Sequence, residues 1–156
     1  MRFHLVDRID EIRHGEHITG VKCVTLADDV FDEHFPGFPV FPGSLILEGL
    51  AQLAGSFFEI TMKERGLPSR RAVLAIVNRL KLRRPVGPGD RLVYRADILA
   101  IGEEHGQAKV AATLEGEPVA DGELTFSFVV VENEALQHSR ETLYDICTRQ
   151  TRILPP

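Results

Sequence analysis

The longest apolar run of the chain lies between residues 45 and 62, where Leu45-Ile46-Leu47 and Leu50-Ala51-Gln52-Leu53-Ala54 are followed by no proline until Pro68. These residues favour helix, so the pattern predicts one from about Ser44. Apolar residues fall on nearly all its faces, which marks a helix wrapped by other structure. Gly66-Leu67-Pro68 supplies the stop signal. Upstream, Ile18, Val21, Cys23, Val24 and Leu26 predict a strand over residues 17–26 with imperfect alternation. The mixed segment from His4 to Ile12 reads as a lead-in to a turn around Gly15. Downstream, residues 72–83 read as a strand with Val77, Arg79, Lys81 and Arg83 on one side and Asn78, Leu80, Leu82 and Arg84 on the other. After a turn from Pro85 to Asp90, further strands are predicted over residues 91–101, 107–114 and 120–131. The turns between them, at 102–106 and 115–118, are short enough for an antiparallel meander.

These elements assemble into an α+β fold, a single domain over residues 1–131 in which a twisted antiparallel sheet curls around one long central helix. Residues 132–156 stand apart as a C-terminal extension, in which Leu136, Leu143, Ile146 and Cys147 are expected to line one face of a terminal helix. That face would pack on the domain or on a neighbouring subunit.

Composition narrows the function. A chain of 156 residues is one domain's worth, able to bury roughly 70% of its unfolded surface without staples. A net charge of −5 argues against general nucleic-acid binding. Cys23 and Cys147 form no CxxC or clustered pattern, so a reduced cytoplasmic setting is expected. The first residues lack the apolar core of a signal peptide, and Glu48, Gln52 and Glu59 interrupt the helix, so no membrane insertion is expected. No metal site is expected either. His4, His14, His17, His105 and His138 have no ligand spacing, and the acidic stretch Asp28, Asp29, Asp32, Glu33 lacks the pattern of a calcium loop.

The candidate chemistry sits in residues 34–52. The loop from His34 to Gly43 holds three prolines and two glycines, a shaped loop in which φ is fixed at the prolines and backbone approach is easy at the glycines. Glu48 follows on a helix expected to be buried, so its carboxyl should either rise in pKa or find a partner. Gln52, four residues on and on the same helix face, is a suitable partner. A histidine beside prolines is by itself a turn residue, and a buried carboxylate can be purely structural. One imidazole and one carboxylate in surroundings that neither would choose for solvation mark this stretch as the candidate working part of the chain.

This stretch closely resembles the active-site signature of the β-hydroxyacyl-acyl-carrier-protein dehydratases of the FabZ type. The matching residues are His34-Phe35-Pro36-Gly37, Pro39, Pro42-Gly43, Glu48 and Ala51-Gln52. Leu5-Val6-Asp7-Arg8 looks like the family's opening motif, and Arg84-Pro85-Val86 with Pro88-Gly89-Asp90 like its mid-chain turn. The resemblance implies a hot-dog fold, dehydration of 3-hydroxyacyl thioesters carried by acyl carrier protein, and His34 with Glu48 as the catalytic pair. It also implies that Gly43 offers its N–H to the thioester carbonyl, Val40 holds the imidazole by its carbonyl, and Gln52 supports Glu48. A homodimer with composite sites, and assembly to a hexamer, are implied as well.

The chemistry suits these residues without a cofactor. A free histidine, titrating at roughly 6.5, exchanges protons near neutral pH, and a helix start favours a developing oxyanion. The basic set Arg79, Lys81, Arg83 and Arg84 reads either as a docking face for an acidic carrier protein or as a solvated strand face. Near residues 72–74 the family's gating aromatic is missing, Asn78 replaces a usual aspartate, and the tail is longer than the family's norm. A hot-dog thioesterase and a non-catalytic partner subunit remain the alternative functions.

Overall fold

The computed structural model describes residues 3–155. Its sheet has seven strands, β1 Arg8–Arg13, β2 His17–Cys23, β3 Arg71–Leu82, β4 Arg91–Ile101, β5 His105–Leu114, β6 Glu117–Val129 and β7 Arg152–Leu154. They lie in the order β3-β6-β5-β4-β2-β1-β7. Neighbouring strands are antiparallel except β1 with β7, which run parallel. The described residues also form two α-helices, α1 Gly43–Glu64 and α2 Glu134–Cys147.

Period-two alternation places one face of the central strands inward: Leu92, Tyr94 and Ala96 on β4, Ala108, Val110 and Ala112 on β5, and Ala120, Leu124, Phe126 and Phe128 on β6, all buried. Helix α1 lies in the curve of this face and buries Ile46, Leu50, Leu53, Phe57 and Phe58. The Phe58 ring meets Phe126 and Phe128 in tilted contacts, each with centroids 5.4 Å apart. At Gly49 the helix comes so close to the sheet that an added Cβ would sit 2.6 Å from the Tyr94 ring. By length and composition α1 could cross a membrane, but 61% of its apolar window is buried inside the fold, the condition of a core helix.

The expected meander and central helix are present, except that β6 begins at Glu117, so Pro118 pairs with Thr113 instead of lying in the turn. The lead-in from His4 to Ile12 contributes a strand, β1, paired with β2. The acidic stretch holds a 3₁₀ turn at Asp29–Asp32 that buries Phe31. Strand β3 does not keep a simple alternation. Two residues of β3 face one of β6 between Asn78 and Lys81, and Arg79 takes a φ of +53°. This bulge turns the strand, so Arg79 and Lys81 do not share the regular face expected from their spacing. In the extension, α2 buries Cys147 but leaves Leu136 and Ile146 exposed, so the expected apolar face is only partly covered within one chain. Strand β7 then closes the far edge of the sheet against β1.

Candidate active site

The loop before α1 is pinned at several points. Phe35 and Phe38 exchange main-chain hydrogen bonds of 3.1 and 2.9 Å around Gly37, whose φ is +76°. Positive φ is why glycine suits the tip of this turn. The peptide joining His34 to Phe35 is cis. Val40 N–H donates to the His34 carbonyl at 2.9 Å, and Phe41 N–H donates to Val86 O at 2.7 Å, which ties the loop to the turn after β3. That turn is held in its own right, because Gly87 N–H donates to the Asp90 carboxylate at 2.9 Å.

The half-buried His34 ring stacks on Phe35 with centroids 4.2 Å apart. Its Nδ1 lies 2.7 Å from the Val40 carbonyl. A carbonyl oxygen only accepts, so Nδ1 carries the proton and Nε2 of the neutral ring keeps the free lone pair. The loop therefore sets both the orientation and the tautomer of the imidazole.

Helix α1 begins directly after this loop. Pro42 O accepts from Leu45 at 2.9 Å and from Ile46 at 3.2 Å, which leaves the Gly43 and Ser44 N–H groups as the unpaired donors of the first turn. No acidic residue occupies that turn to compete for the positive end of the dipole. A Cβ on Gly43 would run into the Leu82 side chain. Glycine thus keeps the helix start open beneath Leu82.

One turn further on, Gln52 Nε2 donates to Glu48 Oε1 at 2.9 Å. Of the two outcomes expected for the carboxylate, the partner is therefore present. Expected burial is not, since Glu48 is only half-buried within the single chain. The spacing in the sequence also missed what holds Gln52. Its Oε1 accepts from Leu5 N–H at 2.9 Å, and its Nε2 reaches the Phe3 carbonyl at 3.2 Å. With Oε1 committed to a donor, the amide must present Nε2 to the carboxylate. Leu5, within the opening motif, thus bears directly on Glu48.

Among the described residues, no hydrogen bond or ion pair joins His34 to Glu48. The basic set is partly neutralised. Arg83 forms a short ion pair with Asp121, and Arg79 and Lys81 share an open cleft with Lys109, Asp121 and Glu123. Arg84 is exposed in the turn beyond.

Residues 1–128 match the family model of the FabA-like domain. A 3-hydroxyacyl-[acyl-carrier-protein] dehydratase FabZ from Acetivibrio thermocellus is 38% identical over 136 residues, spanning 85% of this chain and 89% of that protein. The FabZ of Bacillus subtilis is 39% identical over 125 residues, spanning 80% and 86% respectively. Among solved structures, a chain of the dehydratase heterocomplex ApeI:P from Xenorhabdus doucetiae is similar with a TM-score of 0.68 and 18% identity, covering 88% of this chain and 90% of that one. A hypothetical thioesterase with coenzyme A from Streptococcus pneumoniae gives 0.61 and 12%, covering 81% and 88%. At such low identity these structures establish the shared hot-dog architecture, while the family match and the FabZ relatives span the loop, α1 and the meander together. The chain belongs to the FabA-like family, as a hot-dog dehydratase of the FabZ type.

Proposed function

We propose that this protein dehydrates (3R)-hydroxyacyl groups, carried as thioesters on acyl carrier protein, to trans-2-enoyl thioesters in the synthesis of fatty acids or related acyl chains. His34 Nε2 takes the proton beside the thioester carbonyl. The resulting enolate charge falls on the thioester oxygen, where the Gly43 N–H at the helix start receives it. Glu48 gives a proton to the departing hydroxyl, the C–O bond breaks, and water leaves as the double bond forms. Return of the proton from His34 to Glu48 resets the pair. The single observation that carries this reading is the Nδ1 bond to Val40 O at 2.7 Å, because it leaves Nε2 as a ready base.

The same reading calls for a second copy of the chain. Glu48 is half-buried and unconnected to His34 within one chain, and strand β3 leaves Val73, Ile76, Val77 and Leu82 exposed along a sheet edge. A homodimer would cover that edge, sequester Glu48 and bring one subunit's histidine to the other's carboxylate, with further assembly to a hexamer. An acidic carrier protein would dock near Arg79, Lys81 and Arg84, with Arg83 held back by Asp121. The free cysteines Cys23 and Cys147 suit a reducing cytoplasm.

The test supplies a 3-hydroxyacyl carrier-protein thioester and identifies the product by mass. Loss of one water is expected from the wild type, with turnover abolished in His34→Ala and severely reduced in Glu48→Gln. Release of a free acid would instead make the protein a thioesterase, and a wild-type rate in His34→Ala would remove the base assignment.

A further inference from the structure

Residues 3–7 have no strand or helix of their own, although Leu5 and Val6 are buried. On one side this segment meets α1, through the bonds of Leu5 N–H and Phe3 O to the Gln52 amide. On its other side stands the end of α2. The Cys147 thiol donates to Val6 O at 3.4 Å, and His4 Nε2 lies 3.3 Å from Cys147 Sγ. With its one proton directed at the Val6 carbonyl, the sulfur is the acceptor for His4 Nε2–H. Burial, with the charge of Asp7, pushes the thiol pKa up and keeps that proton in place.

The rest of the extension is fastened on both sides of this contact. Arg140 donates to both carboxylate oxygens of Glu59 on α1 at 3.0 Å, Thr151 Oγ1 donates to Ile9 O at 2.6 Å, and Arg152 pairs with Glu11. The extension therefore clamps residues 3–6 against α1. Those residues in turn decide which end of the Gln52 amide faces Glu48.

We propose that the C-terminal extension positions the catalytic carboxylate, with Cys147 as a positioning residue that acts through residues 3–6 and Gln52. This rests on the assignment of Glu48 to the chemistry. A loosened segment lets the Gln52 amide turn or withdraw, and Glu48 then loses the donor that aims Oε1. The consequence is a slower chemical step with substrate binding unchanged, together with a shifted pH profile of turnover.

The experiment measures kcat, KM, the pH profile and Tm for full-length Cys147→Ala, His4→Ala, Gln52→Ala and the Cys147→Ala/Gln52→Ala double variant. A misplacement of about 1 Å can cost ~10²-fold, so partial loosening by Cys147→Ala should lower kcat roughly tenfold, with KM unchanged. The double variant should be no slower than Gln52→Ala, since both changes break one chain of contacts. Cys147→Ser keeps a donor for Val6 O and should recover most of the lost rate. His4→Ala, at a half-buried position, repeats the comparison should Cys147→Ala fold poorly. Wild-type kcat in both Cys147→Ala and His4→Ala overturns the proposal, as do losses that multiply in the double variant. If Glu48→Gln keeps the wild-type rate, the site assignment itself has failed. If Glu48→Gln is inactive and the losses multiply, only the role of the extension falls.

Discussion

Tyr94 presents a measurable cost inside the core. Its side chain is fully buried on β4, and its hydroxyl has no hydrogen-bond partner among the described residues. Gly49 leaves just enough room for it, since a Cβ there would lie 2.7 Å from the oxygen. An unsatisfied buried hydroxyl costs about 1–3 kcal/mol of desolvation. Tyr94→Phe removes the oxygen and keeps the ring, so it should stabilise the protein by at least about 1 kcal/mol. For a chain of this size that corresponds to a rise in Tm of roughly 2–4 °C per kcal/mol.

The pH dependence supplies an independent check on Tyr94. Burial, and to a lesser extent the charge of Asp7, raise the phenol pKa above its ordinary 10.0 in the folded protein. Above about pH 10 the unfolded chain therefore sheds a proton that the folded chain retains, and wild-type stability declines as pH rises. Tyr94→Phe should lack that part of the decline. Urea unfolding of both proteins, at neutral pH and again in alkali, measures both effects. A Tyr94→Phe protein less stable than wild type at neutral pH would mean that the hydroxyl has a partner, and would refute the reasoning.

Three further outcomes are expected. Glu11 accepts from His17 Nε2 at 2.9 Å and from Arg152, and these bonds, His17 first, hold its pKa below the ordinary 4.5. Its stabilising effect is thus present above that value and lost as pH falls through the lowered one, so acid titration should erase the stability gap between wild type and Glu11→Gln. A gap that persists in strong acid contradicts this. Gly43→Ala forces only the far end of the half-exposed Leu82 side chain to move, so Tm should fall by no more than about 3 °C. Addition of Leu82→Ala should relieve the crowding, and global unfolding of the single variant would show that backbone is displaced instead. Finally, kcat/KM with a carrier-protein substrate should fall with ionic strength more steeply than with a small thioester. Equal sensitivity would remove the case for docking at Arg79, Lys81 and Arg84.

Local signals were enough for much of the architecture and for one contact within the candidate site. The apolar run from Leu45 to Met62 announced α1, and the spacing of Glu48 and Gln52 announced the 2.9 Å bond between them, because one helical turn brings such residues together. The turn at Pro85–Asp90 divided the meander for an equally local reason, proline and glycine acting on φ, whereas the expected turn at 115–118 is shorter, because Glu117 and Pro118 already belong to β6.

What escaped the sequence depends on distant partners. The bulge at Arg79 arises from pairing with β6, more than forty positions away. Strand β1 is recognisable only through its ladder with β2, and β7 only through its parallel pairing with β1. The half-buried state of Glu48 could not be inferred from apolar neighbours on its own helix, because exposure depends on which side the sheet covers. The anchoring of Gln52 by Leu5 and Phe3 spans almost fifty residues, and the contact of Cys147 with Val6 spans 141. A linear pattern encodes which face of an element is apolar and where the chain turns. Only the folded chain decides which remote backbone groups meet a side chain, since those contacts carry no periodic trace in the sequence.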